Sequence, residues 1–233
     1  METIFGLFAK QPISGKVKTR LAAEIGPAVA AQLYEAFLTD LLDRFQSAAH
    51  RRVLGFSPVG DAAADYFENL AAGRYELWTQ PETSLGDRVQ SFFEDMLSSE
   101  VARASSPGRV VLIGSDSPTL PRALIEQAFA ALETKDCVIG PATDGGFYLI
   151  GLRRRSASLF DNIDWGESRV LDQIVRNVVA HDFSLHLLFP WYDVDTVDDL
   201  HCLRGHLAAL SAAAEPDLAP RTRQLLMRLC DTM

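Results

Sequence analysis

A chain of 233 residues with 48% hydrophobic side chains can bury a sizeable core without disulfide or metal staples, and its net charge of -9 excludes the broad basic footprint that nucleic acid or an anionic membrane would require. No apolar run approaches the roughly 18 to 20 residues of a membrane span. The composition therefore points to a soluble globular protein with no nucleic-acid partner and no membrane partner. Cys137, Cys202 and Cys230 lie far apart, without Cys-x-x-Cys or zinc-site spacing, and read as reduced, mostly buried thiols.

The first apolar run, residues 3–8, ends at a polar segment containing Pro12 and Gly15 and reads as a strand. Glu2 stands where a secretory leader carries basic residues, so this run is expected to begin the mature, cytoplasmic protein. Over residues 27–49 the side chains Val29, Leu33, Phe37, Leu38, Leu41, Leu42 and Phe45 recur at helical spacing behind Gly26 and Pro27. A strand is expected at 52–56, a helix at 61–71, a strand at 74–78, and a polar loop at 80–87 that leads into a helix through Leu97. A loop at 105–108 precedes a strand at 110–113, and a helix follows from Pro121 to about Glu133. Strands at 137–140 and 147–152 flank the turn Ala142-Thr143-Asp144-Gly145-Gly146. A helix at 169–179, a strand at 183–189, a turn at 193–196, a helix through Leu207, a linker Ser211-Ala212-Ala213-Ala214 and a helix at 220–230 complete the chain. This alternation predicts an α/β fold, three layers α/β/α around a mostly parallel, Rossmann-like sheet. The expected organisation is a single domain over residues 1–233, with 209–233 as a C-terminal helical extension.

Four segments carry candidate chemistry. Val110-Val111-Leu112-Ile113 runs into Gly114-Ser115-Asp116-Ser117-Pro118, as a buried strand would deliver Asp116 to the rim of an open sheet. The same residues also suit a turn that caps the next helix. The loop from Lys10 to Arg20 gathers Lys10, Lys16, Lys18 and Arg20 around Gly15, which fits either a polyanion site or a solvated basic loop. It matches neither a Walker A loop nor Gly-x-Gly-x-x-Gly, which disfavours a P-loop kinase and a dinucleotide oxidoreductase. In Asp193-Val194-Asp195 the two acids fall on the same side of an extended segment, and with Asp116 they could hold a hard divalent ion. Thr196 and Asp199 form a capping-box pattern there, and capping also accounts for Asp198. Asp144-Gly145-Gly146 permits close approach of an acceptor to a carboxylate that could serve as general base, or makes a tight turn. Trp165 begins a loop that could close over an acceptor, or packs as a capped, buried residue.

Taken together and in order, Phe8-Ala9-Lys10, Gly15, Val17-Lys18-Thr19-Arg20-Leu21, Gly114-Ser115-Asp116-Ser117-Pro118, Gly140-Pro141-Ala142, Asp144-Gly145-Gly146-Phe147-Tyr148 and Asp193-Val194-Asp195-Thr196 resemble a bacterial glycosyltransferase family. That family belongs to the nucleotide-diphospho-sugar transferase superfamily, with the glycosyltransferase A type fold, and is related to molybdopterin and phospholactate guanylyltransferases. The resemblance spans about residues 4–200. It implies that Asp116 and Asp195 ligate Mg2+ or Mn2+, and that Ala9, Lys10, Gly15, Lys18, Arg20, Ser115 and Asp116 bind a nucleotide. Gln80, ahead of Leu85-Gly86-Asp87-Arg88, stands where relatives read the base, and Gly86 belongs to the same stretch. Lys18 and Arg20 would stabilise the leaving group, Asp144 would act as the base, and Asp144, Gly145, Gly146 and Trp165 would bind the acceptor. The implied activity is a metal-dependent transfer from a nucleotide sugar to a small-molecule acceptor. Two departures stand out: Val197-Asp198 replaces the relatives' Pro-Glu, and Gly15 stands alone where nucleotidyltransferases have Gly-x-Gly-x-Arg. Nucleotidyl transfer from a nucleoside triphosphate, or a non-catalytic nucleotide-binding module, remain the alternatives.

Overall fold

A computed structural model describes residues 2–98, 108–156, 158–216 and 218–230. Most of the loop expected at 105–108, the thiol of Cys230 and the last three residues of the expected extension lie outside the described residues.

The strands form where apolar side chains can leave on both faces of the sheet. In β1 (Thr3–Lys10), Ile4 packs into one core while Phe5, Leu7 and Ala9 pack into the other. β4 (Arg109–Ile113) divides in the same way, Val110 and Leu112 to one face, Val111 and Ile113 to the other. Such two-sided burial is what a parallel sheet covered by helices requires. The remaining strands are β2 (Arg51–Ser57), β3 (Glu76–Thr79), β5 (Cys137–Pro141), β6 (Phe147–Leu152) and β7 (Leu185–Leu187). Their order is β3-β2-β1-β4-β6-β5-β7, and every pairing is parallel except those of β6 with β4 and β5.

Helices α2 (Pro27–Phe45), α3 (Asp61–Ala71) and α5 (Arg122–Ala131) cover one face, and α4 (Leu85–Ser98) and α6 (Val170–Ala180) cover the other. This is the expected three-layer α/β/α architecture around a mostly parallel sheet. A satellite core joins α1 (Thr19–Ile25) and the outer side of α2 to α7 (Val197–Ala212) and α8 (Pro220–Cys230) through Leu21, Leu33, Phe37, Leu203, Leu207 and Leu226. The start of α8 is tied to α2 by Asp40, whose carboxylate accepts from the Arg221 and Thr222 amides at 3.0 and 2.9 Å. None of the described helices is long and apolar enough to cross a membrane.

Several boundaries differ from the sequence reading. The long helix stops at Phe45, and α1, which begins inside the Lys10–Arg20 loop and runs through residues given no element, is a separate short helix that starts from Lys18 in the left-handed conformation, φ 46°. The strand expected at 183–189 shrinks to Leu185–Leu187, because the Phe183 amide is taken by the Val178 carbonyl at the end of α6 and its side chain is buried there. Ser211 and Ala212 close α7 instead of forming a linker. Cys137 is buried as expected, whereas Cys202 is exposed on α7.

Candidate active site

β1 is where the strand order reverses: the chain builds outward through β2 and β3, then returns to place β4 on the opposite side of β1. The carboxyl ends of such a pair diverge and leave a crevice, the usual ligand position in open α/β sheets. A cleft of about 640 Å3 opens there, walled by the β1–α1 loop, the Gly114–Asp116 turn, the β5–β6 turn and residues 165–167.

Its centre is a charge cluster drawn from three distant segments. The Lys18 ammonium, only 3% exposed, contacts Asp116 Oδ1 and donates to Asp195 Oδ1 at 2.8 Å. Arg20 Nη2 donates to Asp195 Oδ2 at 2.8 Å. Burial alone would push a lysine down, but the two carboxylates outweigh it and hold Lys18 above its ordinary value. Burial likewise works against the Asp195 charge, yet Lys18 and Arg20 keep its carboxyl below the usual range. The Asp193–Asp195 segment is fastened to the β4 turn by the Val194 amide, which donates to the Asp116 carbonyl at 2.9 Å, and Val194 itself is buried in the satellite core. Asp193 and Asp195 therefore share the cleft side, as the alternation predicted.

Asp193 behaves differently from its neighbour. It accepts a hydrogen bond from the Ser117 hydroxyl, and burial, with Asp116 and Asp144 nearby, pushes it up to about 7 against the pull of Ser117 and Lys18. On the adjoining wall the Tyr34 hydroxyl meets Ser115 Oγ at 2.7 Å and accepts from the Lys10 amide at 2.9 Å. Burial and the Asp116 charge push Tyr34 up to about 12, so it stays protonated and ties α2 to both loops.

The far wall is aromatic and carboxylic. Asp144 Oδ1 accepts from the Gly146 amide at 2.8 Å, which shapes the β5–β6 turn. Phe147 and Trp165 pack edge to face, ring centres 6.2 Å apart, and both line the cleft. Trp165 can lie where it does because Gly86 has no side chain: a Cβ there would stand 2.6 Å from Trp165 Nε1.

Of the residues singled out from sequence, Ala9, Lys10, Lys18, Arg20, Gln80, Ser115, Asp116, Asp144, Gly146, Trp165 and Asp195 line the cleft. Gly15, Gly86 and Gly145 do not. Gly15 sits at φ +76° in the β1–α1 loop, Gly86 is buried under Trp165, and Gly145, at φ +92°, is pressed against the Ser168 carbonyl. Gly15 and Gly145 supply the positive φ of their loops, and Gly86, in α4, leaves room for Trp165. Gln80 is buried, and its amide nitrogen donates to the Gly55 and Ala9 carbonyls at 2.8 and 3.4 Å, so it braces the ends of β1 and β2. Tyr34, Arg88, Phe147 and Glu167 also line the cleft and were not among the candidates. Tyr34 interrupts an apolar helix face and was legible as a polar tip there. Phe147 and Arg88 fell inside quoted motifs and Glu167 inside the loop that Trp165 begins, but their place in the cleft is set by β6, α4 and the 165–167 loop coming together.

The carboxylates suit a hard cation. Asp116 and Asp195 converge on one ammonium, the geometry of two ligands around a positive centre. No group of three His, Cys, Asp or Glu side chains that could hold a metal occurs among the described residues. A divalent ion held by two carboxylates would draw its other ligands from phosphate and water, as Mg2+ commonly does.

No curated protein matches the sequence significantly. Among solved structures, a protein from Desulfovibrio desulfuricans, provisionally designated a nucleotide-diphospho-sugar transferase, is 30% identical over 98% of each chain with a TM-score of 0.84. The 4-diphosphocytidyl-2C-methyl-D-erythritol synthase of Anaerococcus prevotii is 11% identical over 89% of this chain and 99% of its own, TM-score 0.56. The inositol-1-phosphate CTP transferase of T. maritima is 14% identical over 85% and 91%, TM-score 0.50. At these identities the last two show the shared fold alone. Residues 41–167 match the family described as uncharacterized proteins conserved in bacteria, DUF2064, and the chain belongs to that family.

Proposed function

We propose that the protein is a divalent-metal-dependent transferase that takes a nucleotide-activated donor, and that it moves a glycosyl group from a nucleotide diphosphosugar to a small hydroxyl acceptor. The observation that carries this reading is the convergence of Asp116 and Asp195 at the strand-order reversal, beside a cationic loop and opposite an aromatic wall with its own carboxylate. The provisional designation of the Desulfovibrio protein supports the same class.

In this reading Asp116 and Asp195 would hold Mg2+ or Mn2+, which when bound supplies positive charge at the diphosphate. Lys18 and Arg20 offset the two carboxylates, so that an anionic donor can approach an otherwise acidic rim. The edge-to-face pair Phe147 and Trp165 gives an acceptor an apolar face, and Gly146 leaves room beside it. Asp144, held by the Gly146 amide, takes the proton of the attacking hydroxyl. Nucleotidyl transfer to a phosphorylated acceptor is a second reading, favoured by the unpaired cations described below, and it needs no base.

The deciding experiment incubates the protein with Mn2+ and individual nucleotide sugars or nucleoside triphosphates, with hydrolysis or transfer as the readout. Turnover of a nucleotide sugar that disappears in Asp116→Ala is the expected result. If Asp116→Ala binds nucleotide and metal as well as the unaltered protein, the enzyme reading is wrong, and binding without turnover across acceptors would favour a non-catalytic module.

A further inference from the structure

Lys18 and Arg20, the expected phosphate partners, spend their charge on Asp116 and Asp195. The uncompensated positive charge lies at another point of the cleft. A second cavity of about 540 Å3, between the β1–α1 loop and the ends of β2 and β3, shares Lys10, Lys16, Val17, Gln80 and Arg88 with the first. Among the described residues the Lys10 and Lys16 ammonium groups have no hydrogen-bond or carboxylate partner. The Arg88 guanidinium engages only through Nε, which donates to the Thr83 carbonyl at 2.9 Å. These three cations face one carboxylate among the residues lining the second cavity, Glu82, in a chain whose net charge is -9.

Arg88 is also placed to be selective. It sits in the first turn of α4, where Ser84 Oγ accepts from the Asp87 amide at 3.2 Å, so its backbone is anchored. The Nε bond fixes the plane of the guanidinium and leaves both terminal nitrogens for a ligand. Such a fork matches two oxygens of a phosphoryl chain, whereas a lysine offers only a point charge. Lys10 ends β1 and Lys16 lies in the loop after it, whereas Arg88 is on α4, so an anion at the junction would be met from separate elements.

We infer that Arg88, with Lys10 and Lys16, binds the phosphoryl chain of the donor where the two cavities meet, and that Arg88 is the residue that discriminates a diphosphate from a monophosphate. Lys18 and Arg20 serve as internal counter-ions of the carboxylate pair. This rests on the nucleotide-donor reading of the cleft, and the test separates the two.

Isothermal titration of the full chain with inorganic phosphate, inorganic pyrophosphate, and UDP, CDP, GDP and ADP is run on the unaltered protein, Arg88→Gln, Arg88→Lys and Lys16→Gln. The unaltered protein should prefer pyrophosphate to phosphate, and Arg88→Gln should weaken pyrophosphate by about ten- to a hundredfold, the loss of a charge-assisted pair. Arg88→Lys should recover only part of the preference. The readout is the ratio of the two affinities, which a merely loosened start of α4 would leave in place. Lys16 is exposed, so Lys16→Gln keeps the fold and should also narrow the ratio. An Arg88→Gln ratio within twofold of the original, or no pyrophosphate binding by the unaltered protein, overturns the inference. Arg88-dependent pyrophosphate selectivity without any nucleoside diphosphate bound sustains the anion site and removes the donor reading. Nucleoside diphosphate binding indifferent to Arg88 does the reverse.

Discussion

Replacing Lys18 by methionine removes one charge and nearly no volume, which makes it the cleanest probe of the cluster. Two carboxylate oxygens that share one ammonium stand at most about 5 Å apart, the span of two hydrogen bonds. Once the ammonium is gone, two unit charges at that distance repel by about 3 kcal/mol at an effective dielectric of about 20. Breaking a fully buried pair would cost about 3 to 5 kcal/mol, but the Asp116 and Asp195 side chains are 45% and 33% exposed, so water takes up part of the charge. Arg20 also remains on Asp195, and the variant no longer buries an ammonium. A net loss of about 2 kcal/mol is the expectation, or about 4 to 8 °C in Tm for a chain of this size.

Differential scanning calorimetry of the unaltered protein, Lys18→Met and Lys18→Met/Asp116→Asn provides the test. The double variant should regain most of the loss, because the repulsion needs both charges. The sign of the pH effect follows from the depressed Asp195 pKa. Its contribution is present above the ordinary carboxylate value of about 4 and fades as pH falls below it, so the two proteins should converge in acid. A Lys18→Met protein that melts within about 1 °C of the original at neutral pH, or one that Asp116→Asn does not rescue, would refute the account of Lys18 as the counter-ion.

Asp144→Asn should lower glycosyl transfer by about a hundred- to ten-thousandfold in kcat with little change in melting, whereas nucleotidyl transfer would fall only moderately; steady-state rates with each donor decide between them. Asp136 accepts from the Ser184 amide and hydroxyl at 3.0 and 2.8 Å and from Arg153 Nε at 3.1 Å, which outweigh burial and hold it at about 2. Its stabilisation is therefore full above about pH 4 and lost as pH falls toward 2, so Asp136→Asn should cost about 1 to 2 kcal/mol in urea unfolding at pH 7 and much less at pH 3. Gly145→Ala sets a Cβ 2.2 Å from the Ser168 carbonyl at φ +92°, and should destabilise by at least about 1 to 3 kcal/mol by denaturant titration. Asp40→Ala strips the acceptor from the start of α8, and should cost about 2 kcal/mol and speed proteolytic removal of the C-terminal helix, followed by mass spectrometry.

Local chemistry already determined most of the framework. Val110 to Ile113 is apolar on both faces and could only be a covered strand. Thr196 and Asp199 form the capping box that their spacing announced, since both partners lie within one helical turn. The alternation of Asp193, Val194 and Asp195 placed both acids on one side for the same reason. What required the folded chain was every relation between segments. Lys18 reaches Asp116 across 98 positions and Asp195 across 177, and no periodicity encodes such a meeting. The short helix at Thr19–Ile25 was invisible because its start depends on a left-handed Lys18 held by that ion cluster and its burial on packing of Leu21 into the satellite core with α7. Gly86 and Gly145 looked like ligand-contact glycines, but only Trp165 and Ser168, brought in by the loop after β6, reveal what their missing side chains make room for. Sequence alone named Asp116, Asp195 and the cations of the first loop, and tertiary packing added Arg88 and decided which cations the carboxylates neutralise and which are left for a ligand, because charges pair through space and not along the chain.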